Sequence, residues 1–395
     1  MKHIRRQLAA HRRTYSLLAV ALVVVCCLLL YKLGSLVGGL SSGEVAASRA
    51  AVGWHGIYHQ PLYLPLKLVR SAVFWLFSDH GQTLTRLPNT LFGLLAIVAF
   101  AWLVRVWHGS RTALFAGCLF AASAWGLHVS RLASFDVLYL WALPTLLATH
   151  VAHQRHNRRW WVFYGSLLVW GLLLYVPGLI WLLLFELFTN RQAIREGWRH
   201  FGAWWQRLIY LLAGLIWLPL LLDRLRQTAT LKTWLGLPPH LDPPLTLLKH
   251  FVAVFVHLFV RGPEYPTLWL GRAPLLDIFT LAACLIGIYF YARNLQASRS
   301  RLIGGFFVIG AVLIALGGPV SLSLLVPVVY LLAATGIAYL MREWLRTFPL
   351  NPLARATGIG LIILAVALSC AYNLRAYFVA WPHNDTTKTV FRYHP

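Results

Sequence analysis

Two acidic residues occupy positions in which a carboxylate could act on a substrate. Glu44 follows the first long hydrophobic run, and Asp136 ends the segment SRLASFD between two later runs. Such residues are scarce, because the chain of 395 residues has 11 Asp and Glu against 35 Lys and Arg. A carboxylate at the boundary between water and lipid is partly desolvated, which raises its proton affinity and suits it to general-base catalysis. Glu44 is therefore a candidate base, with Asp136 as a second acidic group facing it.

The same two residues also have structural interpretations. Ser41-x-x-Glu44 has the form of a helix capping box, in which a carboxylate is favoured near the positive end of the helix. Asp136 is favoured in the first turn of the following helix, where it can pair with Arg131 and pin a helix hairpin. The sequence leaves both interpretations open, and a capping role does not exclude catalysis.

Basic side chains near these acids are candidate phosphate ligands. Arg131 carries a guanidinium group, whose planar donors match phosphate oxygens. Further arginines fall in predicted external loops and could bind a lipid-linked phosphate or contact lipid headgroups: Arg49, Arg86, Arg224, Arg226, Arg261 and Arg272.

The stretch WHGIYHQPLYLP combines histidines with aromatic residues. His55 and His59 are four residues apart, but no Cys and no HExxH-like context accompanies them, so this spacing alone does not define a metal site. Anchoring of the loop at the membrane interface by Trp54, Tyr58 and Tyr63 is the simpler interpretation. No metal-binding residues are predicted from this stretch.

Composition indicates which elements must position these groups. The chain is 59% hydrophobic, has a mean hydropathy of +0.66 and contains 12% charged residues, whereas soluble domains carry about 25% charged residues. Several apolar runs approach the ~20 residues that cross a bilayer. The sequence therefore predicts an all-α, polytopic helical membrane protein with eleven spans, at about 15–37, 84–106, 112–130, 136–152, 160–176, 178–189, 207–222, 273–291, 302–316, 320–340 and 356–378.

Two apolar stretches are predicted not to cross the membrane. Residues 61–77 contain Lys67 and Arg70, each of which costs about 2.5–3.5 kcal/mol at mid-bilayer. Residues 245–260 contain a lysine and two histidines. The apolar residues of the first stretch recur at the spacing of a helix lying in the interface: Leu62, Leu66, Val69, Val73 and Leu76.

The distribution of charge predicts the orientation. With those two stretches outside the membrane, basic clusters fall on the amino-terminal side: 1–13, 105–111, 155–159, 191–207, 293–301 and 342–355. The positive-inside rule then predicts a cytoplasmic amino terminus and an external carboxyl terminus in the plasma membrane. Because these clusters alternate with apolar runs, the formal charge of +24 argues for topology and against nucleic-acid binding.

A single transmembrane domain over residues 1–395 is expected, with a first external loop at 38–83, a large external loop at 223–272 and no separate soluble domain. The chain has no nucleotide-binding glycine loop, Walker sequence or Ser-His-Asp arrangement. An enzyme with its acids on the outer leaflet and no nucleotide fold needs a substrate that is activated elsewhere and delivered through lipid. A sugar on a polyprenyl phosphate is such a substrate.

These same residues carry a family resemblance. Over about residues 40–150, the chain resembles the GT-C membrane glycosyltransferases of the protein-mannosyltransferase and aminoarabinose-transferase type. The shared features are a carboxylate beyond the first helix, an H-x-P-x-Y motif, an Arg-Leu-Pro sequence at the next span and an S-R-x-A-x-x-D turn. The residues that carry them are Glu44, His59, Pro61, Tyr63, Arg86, Ser130, Arg131, Ala133 and Asp136.

The resemblance implies inverting transfer of a sugar from a polyprenyl-phosphate donor to a glycan, lipid or protein acceptor among the membrane lipids. It implies that Glu44 deprotonates the acceptor and that Asp136 orients acceptor or donor. The departing phosphate would be met by arginines and the substrate by two residues of the H-x-P-x-Y motif: Arg131, Arg49, Arg86 and Arg272, and His59 with Tyr63. Many members have Asp or an Asp-Glu pair where this chain has Gly43-Glu44. No cofactor is implied beyond a divalent cation that serves some relatives.

Two functions from other classes are alternatives. A lipid transporter or flippase is expected to have repeated halves, broken helices and ionisable groups in the middle of the membrane. The charges of this chain lie at predicted helix ends, which favours an enzyme acting at the outer face. A non-catalytic membrane assembly subunit is the second alternative, favoured by the absence of a paired Asp-Glu.

Overall fold

The computed structural model describes residues 19–50, 61–77, 81–156, 159–200, 229–263 and 272–393. These parts of the chain are built of helices joined by short turns, which confirms the all-α prediction. In the amino-terminal half the helices are α1 Ala19–Leu30, α2 Ser42–Arg49, α3 Leu64–Phe77, α4 Gln82–His108, α5 Ser110–Ala122, α6 Ala124–Arg131, α7 Val137–His156, α8 Trp160–Leu173, α9 Leu179–Thr189 and α10 Arg191–His200. The later helices are α11 Ala229–Trp234, α12 Pro244–Phe259, α13 Ile278–Arg293, α14 Ser298–Ala315, α15 Val326–Thr347, α16 Pro352–Arg375, α17 Trp381–His383 and α18 Asp385–Val390.

Described helices occupy most of the predicted spans. Each predicted span overlaps a helix except 207–222, which lies outside the described residues. Within the described ranges, four helices are long and apolar enough to cross a bilayer, and the bent pair α5–α6 makes a fifth. Shorter apolar helices of 10–17 residues are α1, α8, α9, α12 and α13. The multi-pass architecture is therefore confirmed, whereas the count of eleven spans stays a prediction.

The predicted span 112–130 is broken, because α5 and α6 meet at an angle of 60°. Ser123 lies at the break and caps α6, since its Oγ accepts a hydrogen bond from Gly126 N at 3.2 Å. Asn373 Oδ1 on α16 accepts from Ala124 N at 3.2 Å. The backbone donors freed by the break thus find partners inside the protein, as a break within a membrane requires.

Two glycines allow α13 and α15 to pack closely. A side chain at Gly287 would overlap the carbonyl oxygen of Leu332, and one at Gly336 would overlap the carbonyl oxygen of Ala283. Small residues at such interfaces let helix backbones approach each other within a membrane. The helical segment Leu322–Thr347 is also the most deeply buried of the long apolar helices among the described residues.

The predicted interfacial helix is present as α3, but its orientation differs from the expectation. Leu66 is buried, as the apolar spacing predicts. Lys67 and Arg70 are buried as well, whereas Leu76 is 66% exposed and Trp75 is 84% exposed. The helix thus directs its cations into the protein and its apolar end outward. The physical reason is that Arg70 donates hydrogen bonds to buried acceptors, the carbonyl oxygen of Ala47 and Oδ1 of Asn89.

The other stretch predicted not to cross the membrane forms α12. This helix is 16 residues long, which is shorter than the ~20 residues that cross a bilayer. Its exposed residues include Leu245, Leu248 and Val252. The role of 245–260 as an interfacial segment stays a prediction.

Loops from distant parts of the chain meet at one end of the helical bundle. Leu40 and Tyr393 pair through two main-chain hydrogen bonds, with N–O distances of 2.7 and 3.1 Å. In the same region Tyr63 N donates to Tyr175 O at 2.8 Å. Leu40 follows the first predicted span and Tyr393 follows the last. Their pairing therefore requires an even number of crossings between them, which agrees with the ten spans predicted between residues 40 and 393.

Candidate active site

The carboxylate of Glu44 lies at the centre of a buried network. Its Oε1 accepts hydrogen bonds from Arg86 Nε at 2.8 Å and Ala133 N at 3.0 Å. Its Oε2 accepts from Arg86 Nη2 at 3.0 Å and Ser41 N at 2.9 Å. Ser41 Oγ in turn accepts from Glu44 N at 3.2 Å, which completes the predicted capping box. A carboxylate has about four lone-pair sites, so the acceptor capacity of Glu44 is filled.

These contacts lower the pKa of Glu44. Burial alone raises the pKa of this carboxyl group, but the hydrogen bond and charge of Arg86 outweigh that effect, together with the backbone donors of Ala133 and Ser41. The raised proton affinity expected for Glu44 is therefore wrong. The physical reason is that its desolvation is accompanied by a full set of donors, two of which come from Arg86 on α4.

Arg86 joins three segments of the chain. Besides Glu44, its guanidinium donates to Leu33 O at 3.1 Å and to Gly39 O at 2.9 Å. The ring of Phe391, close to the carboxyl terminus, lies with its centroid 6.0 Å from Arg86 Cζ. Arg86 is 1% exposed, so its donors are engaged within the protein.

The turn between α6 and α7 is held by side chains of α3 and α4. Asn89 Nδ2 donates to Ser134 O at 2.6 Å. Arg70 Nη2 donates to Asn89 Oδ1 at 2.9 Å and to Ala133 O at 3.3 Å. This turn is therefore fixed by contacts from two other helices, in addition to the bond from Ala133 N to Glu44.

Asp136 ends this turn and is half-buried. Burial raises the pKa of its carboxyl group, and hydrogen bonds from Ser321 and Ser134 only partly oppose the effect. Glu44 accepts a hydrogen bond from Ala133, three residues before Asp136, so the structure brings both acids to one turn. The raised proton affinity that the sequence suggests for Glu44 belongs instead to Asp136.

Tyr63 lies beside Asp136. Its ring stacks on Phe135, with centroids 4.4 Å apart. Burial raises the pKa of Tyr63 to about 12, a hydrogen bond with Tyr139 opposes this, and the charge of Asp136 adds to it. The φ angle of Tyr63 is 62°, a left-handed conformation that costs a residue with a side chain of order 1–3 kcal/mol. Such strain clusters at functional sites, and this position supports the predicted contact of Tyr63 with substrate.

Helix α3 adds two buried cations whose sequence context predicts only that they oppose membrane crossing. Lys67 is 2% exposed and Arg70 is 0% exposed. Residues three apart share a helix face, and Arg70 Nη1 on this face donates to Ala47 O at 2.7 Å. Burial lowers the pKa of Lys67 to about 8, and the charge of Arg70 adds to the effect. Their spacing within an apolar helix was the available signal, because ionisable groups in such helices are functional candidates.

Arg131 does not make the predicted pair with Asp136 in the described structure. Its Nη1 donates to Leu28 O at 3.1 Å and its Nη2 donates to Tyr31 O. The ring centroid of Tyr377 lies 5.3 Å from its Cζ, within the range of a cation–π contact. The guanidinium thus binds carbonyl groups at the end of α1 that have no partner further along the helix. These contacts direct Arg131 away from the carboxylate of Asp136.

The remaining predicted ligands are spread over the surface or lie outside the described residues. Arg49 is exposed at the end of α2, and Arg272 is exposed before α13 with a φ of 61°. Within the described ranges, no cluster of three or more His, Cys, Asp or Glu could hold a metal ion. The divalent cation therefore stays an expectation. Predicted residues that lie outside the described ranges are His55, His59, Arg224 and Arg226.

This chain resembles a known protein family in sequence and solved structures in fold. Residues 65–222 match the family model for dolichyl-phosphate-mannose-protein mannosyltransferase. The fold is similar to that of ArnT from Cupriavidus metallidurans in the apo state, with 14% identity and a TM-score of 0.57 over 96% of this chain and 78% of that chain. It is also similar to ArnT bound to undecaprenyl phosphate, with 14% identity and a TM-score of 0.54 over 94% of this chain and 76% of that chain. Comparison with curated protein sequences gives no match.

Fold and family model together confirm the predicted resemblance to the GT-C superfamily of glycosyltransferases that use polyprenyl-phosphate sugars. The chain is thus a multi-pass membrane protein with the fold seen in ArnT, and the family match over residues 65–222 supports a glycosyltransferase. At 14% identity, the structural match defines the fold alone.

Proposed function

We propose that this protein transfers a sugar from a polyprenyl-phosphate donor to an acceptor at the outer face of the plasma membrane, with inversion at the anomeric carbon. The observation that carries the proposal is the half-buried carboxylate of Asp136, on a turn bonded to the buried cation Arg70 and beside Tyr63. A base and a cation at one end of a lipid-embedded fold are the groups that such a transfer requires. The related fold that binds undecaprenyl phosphate supports this class of donor.

The base in this proposal is Asp136, and Glu44 positions it. Glu44 accepts four hydrogen bonds and has a lowered pKa, so it is a weak proton acceptor in the observed conformation. Asp136 has a raised pKa and remains half-buried, which leaves it within reach of a substrate. General bases work best when their pKa is raised towards the operating pH. Glu44 contributes through Ala133, which it holds three residues from Asp136.

The reaction is a single displacement. The lone pair of the acceptor oxygen or nitrogen attacks the anomeric carbon while Asp136 accepts the proton of that group. The bond from the anomeric carbon to the phosphate oxygen breaks, and its electron pair leaves with the polyprenyl phosphate. Inversion requires the base and the leaving group to lie on opposite faces of the sugar ring. Asp136 then releases its proton to water.

Cations of α3 are the proposed ligands of the departing phosphate. Arg70 Nε is buried and has no hydrogen-bond partner among the described residues, and Lys67 lies on the same helix face. Guanidinium and ammonium groups stabilise the charge that develops on the leaving phosphate. Arg86 is less suited to this role than the sequence suggests, because Glu44 and carbonyl groups accept from its Nε and both of its Nη atoms.

Exposed residues near the same end of the bundle complete the proposed substrate contacts. Arg49 and Arg272 are exposed and can contact the phosphate of an arriving lipid or the headgroups around it. Tyr63 borders Asp136 and is placed to contact the sugar or the acceptor. The assignment of this end to the outer face rests on the positive-inside rule.

A buried ionisable pair elsewhere in the chain is the observation that favours the transporter alternative. His150 Nδ1 on α7 lies 2.9 Å from both carboxylate oxygens of Glu186 on α9, and Asn190 Nδ2 donates to Glu186 Oε1 at 3.1 Å. Ionisable groups inside membranes often line transport pathways. Glu186 lies in the last turn of α9, however, and its partners satisfy it. The enzyme proposal therefore remains the better supported of the two.

Mass spectrometry of lipid-linked sugars and surface glycans, in cells with and without the protein, tests the proposal. The expected result is accumulation of one polyprenyl-phosphate sugar in cells without the protein, with loss of the same sugar from a glycan, lipid or protein. Unchanged lipid-linked sugars and glycans would contradict the proposal. Movement of the donor across vesicles that contain the protein, with no new glycoside formed, would instead establish the transporter.

A further inference from the structure

The carboxyl-terminal segment lies against the network that holds Glu44. Leu40 and Tyr393 form two main-chain hydrogen bonds, at 2.7 and 3.1 Å. A β-carbon added to Gly39 would lie 2.6 Å from Tyr393 O, so the two segments are in direct backbone contact at this point. The carbonyl of Gly39 is also a hydrogen-bond acceptor of Arg86 Nη2, at 2.9 Å. Gly39 therefore contacts both the carboxyl-terminal segment and Arg86 of the ion pair.

Phe391 brings the carboxyl-terminal segment into contact with this ion pair. It is 2% exposed, and its ring centroid lies 6.0 Å from Arg86 Cζ, within the range of a cation–π contact. Its ring also packs edge-on against Trp381, with centroids 5.4 Å apart. Trp381 in turn contacts the ring of His128 on α6, at 4.7 Å. The carboxyl-terminal segment thus bridges α4 and α6, the helices that flank the network.

A chain of contacts leads from this segment to the proposed base. Phe391 packs on Arg86, and Arg86 holds Glu44 through two hydrogen bonds. Glu44 holds Ala133, which begins the turn that ends at Asp136. Loss of the Phe391 ring removes one packing contact from Arg86. Small displacements of catalytic groups reduce reaction rates by large factors.

We propose that residues 391–393 form a fixed wall of the active site and that Phe391 is a positioning residue, acting on Asp136 through Arg86 and Glu44. This inference rests on the proposed function for its catalytic part. The docking of the segment against residues 39–40 is a separate claim, and it can be tested without any assay of sugar transfer.

The first test compares Phe391→Ala with Thr389→Ala, an exposed residue that precedes the proposed wall. The probe is a lipid extract that contains polyprenyl-phosphate sugars, taken from membranes of cells without the protein. We expect Phe391→Ala to lower kcat about tenfold or more, with the KM for the lipid donor changed by less than about twofold, because the residue positions the base and touches no donor. Thr389→Ala should leave both constants unchanged. An unchanged kcat for Phe391→Ala, or a rise in KM alone, would overturn the positioning role.

The second test crosslinks the segment in place. Residues that exchange both main-chain hydrogen bonds have α-carbons about 5.5 Å apart, which lies within the range of about 4.4–6.8 Å that a disulfide spans. We expect Leu40→Cys with Tyr393→Cys to form a disulfide on oxidation, detected by peptide mass spectrometry, with sugar transfer kept within about twofold of the reduced protein. Absence of the crosslink would overturn the docking. Loss of transfer that a reductant restores would show that the segment must move, and would overturn the fixed wall.

These two tests separate the inference from the proposed function. If the crosslink forms but the unmodified protein transfers no sugar from the extract, the docking stands and the proposed function fails. If the unmodified protein transfers sugar but the crosslink does not form, the proposed function stands and the wall fails.

Discussion

Glu44 and Arg86 form a two-point ion pair that is closed to solvent. The distances are 2.8 Å from Nε to Oε1 and 3.0 Å from Nη2 to Oε2, and each side chain is 2% exposed. Glu44, which follows the first hydrophobic run, thus connects the first loop, α4 and the turn before α7 through hydrogen bonds. The carboxylate that we propose as the base is the other member of the predicted pair, Asp136.

Breaking this ion pair on one side should destabilise the protein strongly. Removing one partner of a buried pair leaves an uncompensated charge and costs about 3–5 kcal/mol. We expect Glu44→Gln and Arg86→Gln each to lower the unfolding temperature in detergent by several degrees, and the double variant to lose less than the sum. Glu343→Gln, a half-exposed acid at the end of α15, is the matched control and should change little. Additive losses in the double variant would show that the two groups do not act as a pair.

The ion pair should also make stability depend on pH on the acid side. The pKa of Glu44 is lowered in the folded protein from an ordinary value of 4.5. Such a group contributes stability above its unfolded pKa and loses the contribution as the pH falls through the folded pKa. The advantage of the unsubstituted protein over Glu44→Gln in unfolding temperature should therefore be constant near neutrality and shrink below about pH 4.5. A difference that does not vary between pH 7 and the acid limit would contradict the lowered pKa.

The close packing of α13 and α15 predicts a second stability effect. Alanine at Gly287 or Gly336 would place a methyl group on a carbonyl oxygen of the facing helix. We expect each substitution to lower the unfolding temperature or the yield of folded protein, since overpacking typically costs about 1–3 kcal/mol. Gly304→Ala and Gly360→Ala are the controls, because a side chain at either position meets nothing within 4 Å. Equal behaviour of the two sets would show that the helices are further apart than described.

The proposed phosphate ligand Lys67 should give the reaction an alkaline limit. Its pKa is lowered to about 8 by burial and by the charge of Arg70. Lys67 is cationic below that pH and neutral above it, so kcat/KM for the lipid donor should fall as the pH rises through about 8. Lys67→Arg should move this fall to higher pH, because a guanidinium stays protonated. A fall at the same pH in both proteins would assign the alkaline limit to another group.

Much of the architecture could be predicted because it follows from local patterns. Apolar runs near ~20 residues predict the helices, and the Ser41-x-x-Glu44 spacing predicts the capping box that is observed. The bend at Ser123 could not be predicted, since a single polar residue between apolar runs does not mark a break in a helix. The exposed apolar end of α3 could not be predicted either. Periodicity defines the faces of a helix, but it does not show which face packs against the rest of the protein.

The site could be predicted only in part, because its chemistry depends on contacts between distant residues. The sequence identifies Glu44, Arg86 and Asp136 as candidates, and the structure brings their segments together. The sequence gives no indication that Arg86 donates to both oxygens of Glu44 and so lowers the pKa of that carboxyl group. The partners of Arg131 lie about a hundred residues away at Leu28 and Tyr31, which no local pattern shows.

The Asp136→Asn variant tests the central claim most directly, by its rate of sugar transfer and its unfolding temperature at pH 7. The pKa of Asp136 is raised in the folded protein, so its ionised form costs stability once the pH rises through the folded pKa. We therefore expect the unfolding temperature to stay the same or rise, while the transfer of sugar from polyprenyl phosphate falls about 10²–10⁴-fold. Asp242→Asn, an exposed acid, should change neither quantity. Transfer that persists in Asp136→Asn at the rate of the unsubstituted protein would contradict the assignment of Asp136 as the base.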